Sequence, residues 1–96
     1  MKHLFQPITI NGMTVRNRFV VPPMDTGYGS MDHEVTDQLI AYHRRRAEGG
    51  MGLIIVEYTS VDPGGRCTDT QLGIYDDSLI PGFRRLTDAV HEHGAK

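Results

Sequence analysis

Leu53-Ile54-Ile55-Val56 limits the fold of this chain more than any other segment. It is uniformly apolar and rich in β-branched residues, which is the pattern of a strand buried on both faces of a parallel sheet covered by helices. The segments on either side fit that role. Before it, Val35, Leu39, His43 and Ala47 recur at helical spacing with Ile40 beside them. Thr36 or Asp37 can cap the start of this helix, and Gly49-Gly50 ends it. Arg44, Arg45 and Arg46 lie in its last turns, where cations complement the helix dipole, so they read as a solvated helix end. After the strand, Ser60 to about Asp77 reads as one Gly- and Asp-rich loop. A second helix is expected from about Ser78, with Pro81 in its first turn and Phe83, Leu86 and Val90 on one stripe. Gly94 closes it, and Ala95-Lys96 can open another strand.

Upstream, Ile8-Thr9-Ile10 and Met13-Thr14-Val15 alternate around Asn11-Gly12, the strongest short-range hairpin signal. Arg18-Phe19-Val20-Val21 reads as an extended run stopped by Pro22-Pro23, which cannot donate to a central ladder. Asp25 to Glu34 reads as a loop. The order hairpin, β, α, β, α defines an α/β protein in which the strands near 19–22 and 53–58 are parallel neighbours. Two βα units leave a sheet without neighbours at its edges, so the 96 residues read as a portion of a larger fold.

Composition excludes several functions. Ten Lys and Arg against twelve Asp and Glu leave no basic footprint for nucleic acid. The longest apolar run falls far short of the ~20 residues of a membrane span. A lone cysteine, Cys67, and no apolar stretch behind Met1-Lys2-His3 point to the cytoplasm. His91-Glu92-His93 does not suit a metal, because residues two apart on a helix do not face each other. Asp32-His33-Glu34 and Cys67 lack further partners at metal or nucleophile spacing.

Two α/β architectures remain. A dinucleotide-binding unit requires G-x-G-x-x-G after its first strand, but here Gly27 and Gly29 are followed by Asp32 at the third position. A (β/α)₈ TIM barrel instead carries function on the loops after its strands, here Pro22 to Gly29 and Tyr58 to Arg66. Those loops are dense in residues with special backbone behaviour, which favours a site.

Several motifs then stand in order: Leu4-Phe5-Gln6-Pro7-Ile8 leading to Asn17-Arg18, Pro22-Pro23-Met24, and Arg46-Ala47 followed by Gly49-Gly50 and Gly52-Leu53-Ile54. Val61-Asp62-Pro63 with Gly65-Arg66, Leu72-Gly73-Ile74-Tyr75-Asp76-Asp77 and Leu86-Thr87-Asp88-Ala89-Val90-His91 follow. Together these resemble the opening of the Old Yellow Enzyme, or NADH:flavin oxidoreductase, family. The Met24-x-Thr26-Gly27 form of the first loop is most similar to the enoate and 2,4-dienoyl-CoA reductase branch.

The resemblance implies that residues 1–96 are the N-terminal part of a single FMN-binding TIM-barrel domain, inactive alone. It implies hydride taken from NAD(P)H and passed to an activated C=C bond of a small unsaturated molecule, with no membrane or nucleic-acid partner. A homo-oligomeric parent is compatible with it. Pro22, Pro23, Met24 and Asp25 match the first flavin loop, and Tyr58 falls where the family places a small residue against the flavin. Some relatives carry a cysteine at Asp25 and a substrate-contacting tyrosine at Gly27, which makes Gly27 the candidate substrate position. The family's substrate-anchoring, proton-donating and flavin-phosphate groups match nothing in these residues. A different class of reading is a complete, non-catalytic α/β binding or scaffold module that dimerises to cover its sheet edges.

Overall fold

A computed structural model describes residues 2–96; Met1 lies outside the described residues. Strands β1 (Ile8–Ile10) and β2 (Met13–Val15) pair antiparallel, with Ile10 opposite Met13. Asn11 and Gly12 connect them at φ 45° and 89°, the left-handed pair that a two-residue turn requires. Strand β3 (Val20–Val21) leads through a long irregular segment to helix α1 (Asp37–Glu48), and β4 (Leu53–Ile54) returns parallel to β3. Thr36 Oγ1 caps α1 by accepting from the Leu39 N–H at 3.2 Å.

The segment 60–77 differs from its reading as a plain loop. Strand β5 (Thr59–Ser60) pairs parallel with β6 (Leu72–Gly73), and a short 3₁₀ turn at Pro63–Gly65 lies between them. Two-residue strands carry no periodicity; their place is set by distant backbone partners. Gly73 N–H donates to His33 O at 3.0 Å and Ile74 N–H to Ser60 O at 2.8 Å. The second helix also starts later than expected. Asp76 accepts from Ser78 N–H, a 3₁₀ turn spans Asp77–Leu79, and helix α2 (Ile80–Glu92) follows with its proline in the first turn.

The inner faces of α1 and α2 bury Leu39, Ile40, Leu86, Ala89 and Val90 together with Leu72, and Ile54 and Val56 pack against this cluster. The apolar strand is therefore covered on one face. Val20 and Ile55 remain 46% and 44% exposed, because both helices lie on the same side of the strands and no part of these residues covers the other face. Lys96 joins the sheet as expected. Its N–H donates to Gly52 O at 2.9 Å and its carbonyl accepts from Ile54 N–H at 2.8 Å, beside β4 on the edge away from β3.

Arg16 ties these parts together. Its Nη1 donates to His93 O at 2.7 Å, at the end of α2. Nη2 donates to Ala47 O at 2.8 Å, in the last turn of α1, and to Met51 O at 2.9 Å. Carbonyls at a helix C-terminus have no intrahelical donor and carry the negative end of the dipole, so one guanidinium satisfies and neutralises both ends. Asn17 continues the clamp, donating from Nδ2 to Gly50 O at 2.7 Å and accepting from Phe19 N–H at 3.0 Å. The chain passes so closely here that a Cβ on Gly52 would sit 2.6 Å from Asn17 Oδ1.

His43 is the costly feature of α1. It is buried, neither ring nitrogen has a hydrogen-bond partner among the described residues, and burial followed by the Arg46 charge holds its pKa below the ordinary 6.5.

Hydrogen bonds involving a charged group contribute about 1.5–3 kcal/mol net. Arg16→Ala is expected to lower stability by about 2–4 kcal/mol. Arg16→Lys should recover only part of this, because an ammonium cannot reach carbonyls in a planar fork. Urea midpoints of the three proteins check the order; equal midpoints would show that water replaces the clamp without loss.

Candidate active site

The two parallel strands β3 and β4 run out at the same end of the sheet, opposite the end where Arg16 and Asn17 grip the residues before β4. The segments that follow them, Pro22–Gly29 and Glu57 onward, therefore share that end. Pro22, Pro23, Met24, Asp25, Gly27 and Tyr58 are all exposed. Among the described residues no hydrogen bond engages the Met24 and Asp25 N–H groups or the carbonyls of Pro22, Pro23 and Met24. A row of uncommitted backbone polar groups beside an apolar Met24 suits a flat heterocycle with a polar edge. The structure thus brings the first-loop residues and Tyr58 to one end.

The two loops are cross-linked. Thr26 Oγ1 donates to Glu57 Oε1 at 2.6 Å, and the Thr26 N–H reaches the same oxygen at 3.4 Å. Tyr58 OH donates to Asp25 Oδ2 at 3.4 Å. Asp25 Oδ1 accepts from Gly27 N–H at 3.2 Å, so this carboxylate also caps its own turn, where Gly27 takes φ 71°. Thr26 Oγ1 accepts from Tyr28 N–H at 3.1 Å, and Thr36 Oγ1 donates to Tyr28 O, joining the loop to the first turn of α1. Tyr58 leans toward Asp25 through its hydroxyl.

Sequence reasoning singled out Tyr58 and passed over Glu57. That carboxyl is only 2% exposed, and its Oε2 has no hydrogen-bond partner among the described residues. Burial pushes its pKa above the ordinary 4.5; the Thr26 hydroxyl and N–H pull it back, while the neighbouring Asp25 pushes it further up. A carboxylate closing an otherwise apolar strand run was the available signal. A surface depression of about 670 Å³ lies elsewhere, between α1 and α2 around Asp37, Arg44 and Arg85. It mixes both charge signs, and Arg85 is already paired with Asp37 at 2.8 Å, so the loop end is the better candidate.

A hairpin followed by βα units, with two linked loops at the C-terminal ends of parallel strands, is the opening of a loop-functional α/β barrel. The sequence profile of the NADH:flavin oxidoreductase / NADH oxidase family matches residues 3–96, and the chain belongs to that family. A curated relative, NADPH dehydrogenase of Bacillus subtilis (strain 168), is 47% identical over 99% of this chain, which spans 28% of that relative's length. A 2-naphthoyl-CoA reductase, solved with 2-naphthoyl-CoA, superposes with TM-score 0.95 at 29% identity over 98% of this chain and 14% of its own. The Old Yellow Enzyme of Pichia sp. AKU4542 superposes with TM-score 0.89 at 30% identity over 97% of this chain and 24% of its own. The fold is that of the corresponding part of these TIM-barrel enzymes. No helix among the described residues is long and apolar enough to cross a membrane.

Glu57 makes stability depend on pH with a definite sign. Its folded pKa is raised, so between the ordinary value of 4.5 and the folded value the native state binds more protons than the unfolded one. Stability contributed by the neutral acid is therefore full below 4.5 and is lost as pH rises. Denaturant midpoints from mildly acidic to neutral pH should fall for the wild type and fall less for Glu57→Gln. Parallel slopes would show that Glu57 titrates normally.

Proposed function

We propose that residues 1–96 form the N-terminal part of a single FMN-binding TIM-barrel domain, whose enzyme takes hydride from NAD(P)H and reduces an activated C=C bond of a small unsaturated molecule. The observation that carries this reading is the pair of cross-linked loops at one end of the parallel strands, with backbone polar groups uncommitted at Met24 and Asp25. Family membership supports a flavin and a nicotinamide nucleotide. Pro22, Pro23, Met24, Asp25 and Tyr58 are assigned to the flavin, and Gly27 to the substrate side. FMN, when bound, supplies the two-electron chemistry; the protein places and tunes it.

The chain's own residues do three things in this reading. The Pro22-Pro23 segment fixes the backbone and leaves its carbonyls free to accept. Thr26, held by Glu57, sets where the Met24 and Asp25 N–H groups point. Asp25 brings negative charge, which opposes charge gained on reduction. The exposed face of Val20 and Ile55 is assigned to the barrel interior. Residues 1–96 alone are then inactive, since the remaining strands are needed to close the site, and the enzyme works in the cytoplasm on a diffusible substrate.

The test uses the protein that carries this chain. It should purify yellow, bleach anaerobically with NADH or NADPH, and recover its colour with an electron-poor alkene. Asp25→Asn should raise the flavin midpoint potential by tens of millivolts, where about 30 mV corresponds to about 1.4 kcal/mol for a two-electron couple. An unchanged midpoint would remove Asp25 from the flavin's surroundings. A colourless, monodisperse dimer with a sharp unfolding transition would instead support a non-catalytic binding or scaffold module.

A further inference from the structure

His33 stands in a backbone conformation that favours glycine. Its φ is 68°, and among the described non-glycine residues it shares the left-handed region with Asn11 alone, whose hairpin turn requires it. No hairpin explains His33. Its N–H donates to Ser30 O at 3.0 Å, and its carbonyl accepts from Gly73 N–H at 3.0 Å. An unusual conformation held from both sides points to a use for the side chain. That side chain is buried, and it reaches the loop between β5 and β6: Nδ1 meets Gln71 O at 2.8 Å and Nε2 meets Arg66 Nη1.

The two partners fix the state of the ring. A carbonyl only accepts and a guanidinium only donates. Nδ1 therefore carries the proton and Nε2 accepts, in a neutral imidazole. Arg66 is held a second time by its Nε, which donates to Pro63 O at 3.2 Å. The chain on either side is pinned as well. Gln71 Oε1 accepts from Cys67 N–H at 2.6 Å, and Asp62 Oδ1 accepts from Gly64 N–H at 2.8 Å.

Arg66 is thus oriented without being neutralised. A carboxylate in the place of His33 would cancel its charge; a neutral imidazole leaves all of it. The ion pairs among the described residues join Arg45 and His93 to Glu48, and Arg85 to Asp37; none includes Arg66. Its Nη2 makes no hydrogen bond among the described residues, and the residue is exposed. It lines an open depression of about 310 Å³ together with Cys67, Thr68 and Asp69, and Asp69 makes no ion pair with it. The loop is carried by β5, which begins directly after Tyr58, so Arg66 belongs to the same loop system as the candidate site.

We propose that Arg66 recognises an oxyanion, the carboxylate or phosphate of a substrate's tail, with His33 as the positioning residue that holds the guanidinium open. The free edge of a guanidinium matches two oxygens of such a group, and an arginine fixed beforehand loses little freedom on binding. That the anion belongs to a substrate rests on the function proposed above; the anion site itself does not.

The experiment is titration calorimetry of the protein that carries this chain, with inorganic pyrophosphate and malonate as the phosphate and carboxylate probes. Saturable binding is expected, and the tighter of the two names the anion. Arg66→Ala should weaken it about tenfold or more. Arg66→Lys, which keeps the charge but loses the planar fork, should weaken it by severalfold. His33→Gly, which suits the backbone and removes the ring, should do the same; should it fail to fold, Arg66→Lys still tests the fixed fork. No binding of either probe by the wild type would overturn the proposal, as would undiminished binding by Arg66→Ala. Undiminished binding by a folded His33→Gly would overturn the positioning role. In turnover, Arg66→Ala should raise KM for an electron-poor alkene bearing the preferred anion about tenfold more than for its neutral counterpart. Equal effects on both alkenes would overturn the assignment to substrate. A protein that binds the probe through Arg66 but reduces no alkene would refute the function proposed above and leave the anion site standing.

Discussion

One guanidinium holds the frame. Arg16 sits just after the hairpin and donates to the last turn of α1, to the end of α2 and to the turn before β4. Without it, two helix ends that converge on one spot would bring together dipole ends of the same sign, with the His93 carbonyl at the end of α2 left without this donor. With it, the mutual repulsion of those ends becomes a shared attraction, and the two helices can lie side by side over Ile54 and Val56. The approach is close enough that a Cβ on Gly94 would lie 2.7 Å from Arg16 Nη1. The glycine after α2 is thus required by the clamp as much as by the helix end.

That clamp leaves the opposite end of the strands free for chemistry. Backbone contacts are tight where Arg16, Asn17 and Gly52 meet; the loops after β3 and β4 are joined by a few polar contacts among Asp25, Thr26, Glu57 and Tyr58. Dividing the labour in this way lets the loop end carry features that cost stability, such as a buried carboxyl with an undonated oxygen. A buried polar network of this kind is favourable only when every member is satisfied, and its unsatisfied member marks where a proton or a ligand completes it.

Legibility from sequence followed the range of the interactions. The Asn11-Gly12 turn and the Thr36 cap were readable because a few adjacent residues decide them. The parallel pairing of β3 with β4 was readable because the apolar run and the intervening helix leave few alternatives. Pairing of β5 with β6 was not, since it hangs on His33 and Ser60 backbone groups far away in the chain. Arg16 stands just before the Asn17-Arg18 motif, yet its partners lie 31 and 77 residues downstream, and no local pattern reveals a cap supplied from that distance. Glu57 offered a local signal, a carboxylate closing an apolar run, but its partner Thr26 lies 31 residues earlier.

The claim on which function depends is that the loops after β3 and β4 together face the flavin. Photolabelling the protein that carries this chain with an azido-flavin, followed by peptide mapping, addresses it directly. Modification within Pro22–Gly27 and at Tyr58, suppressed by excess FMN, is the expected result. Specific labelling that instead falls in the groove between α1 and α2, around Arg44 and Arg85, with the two loops untouched, would contradict it.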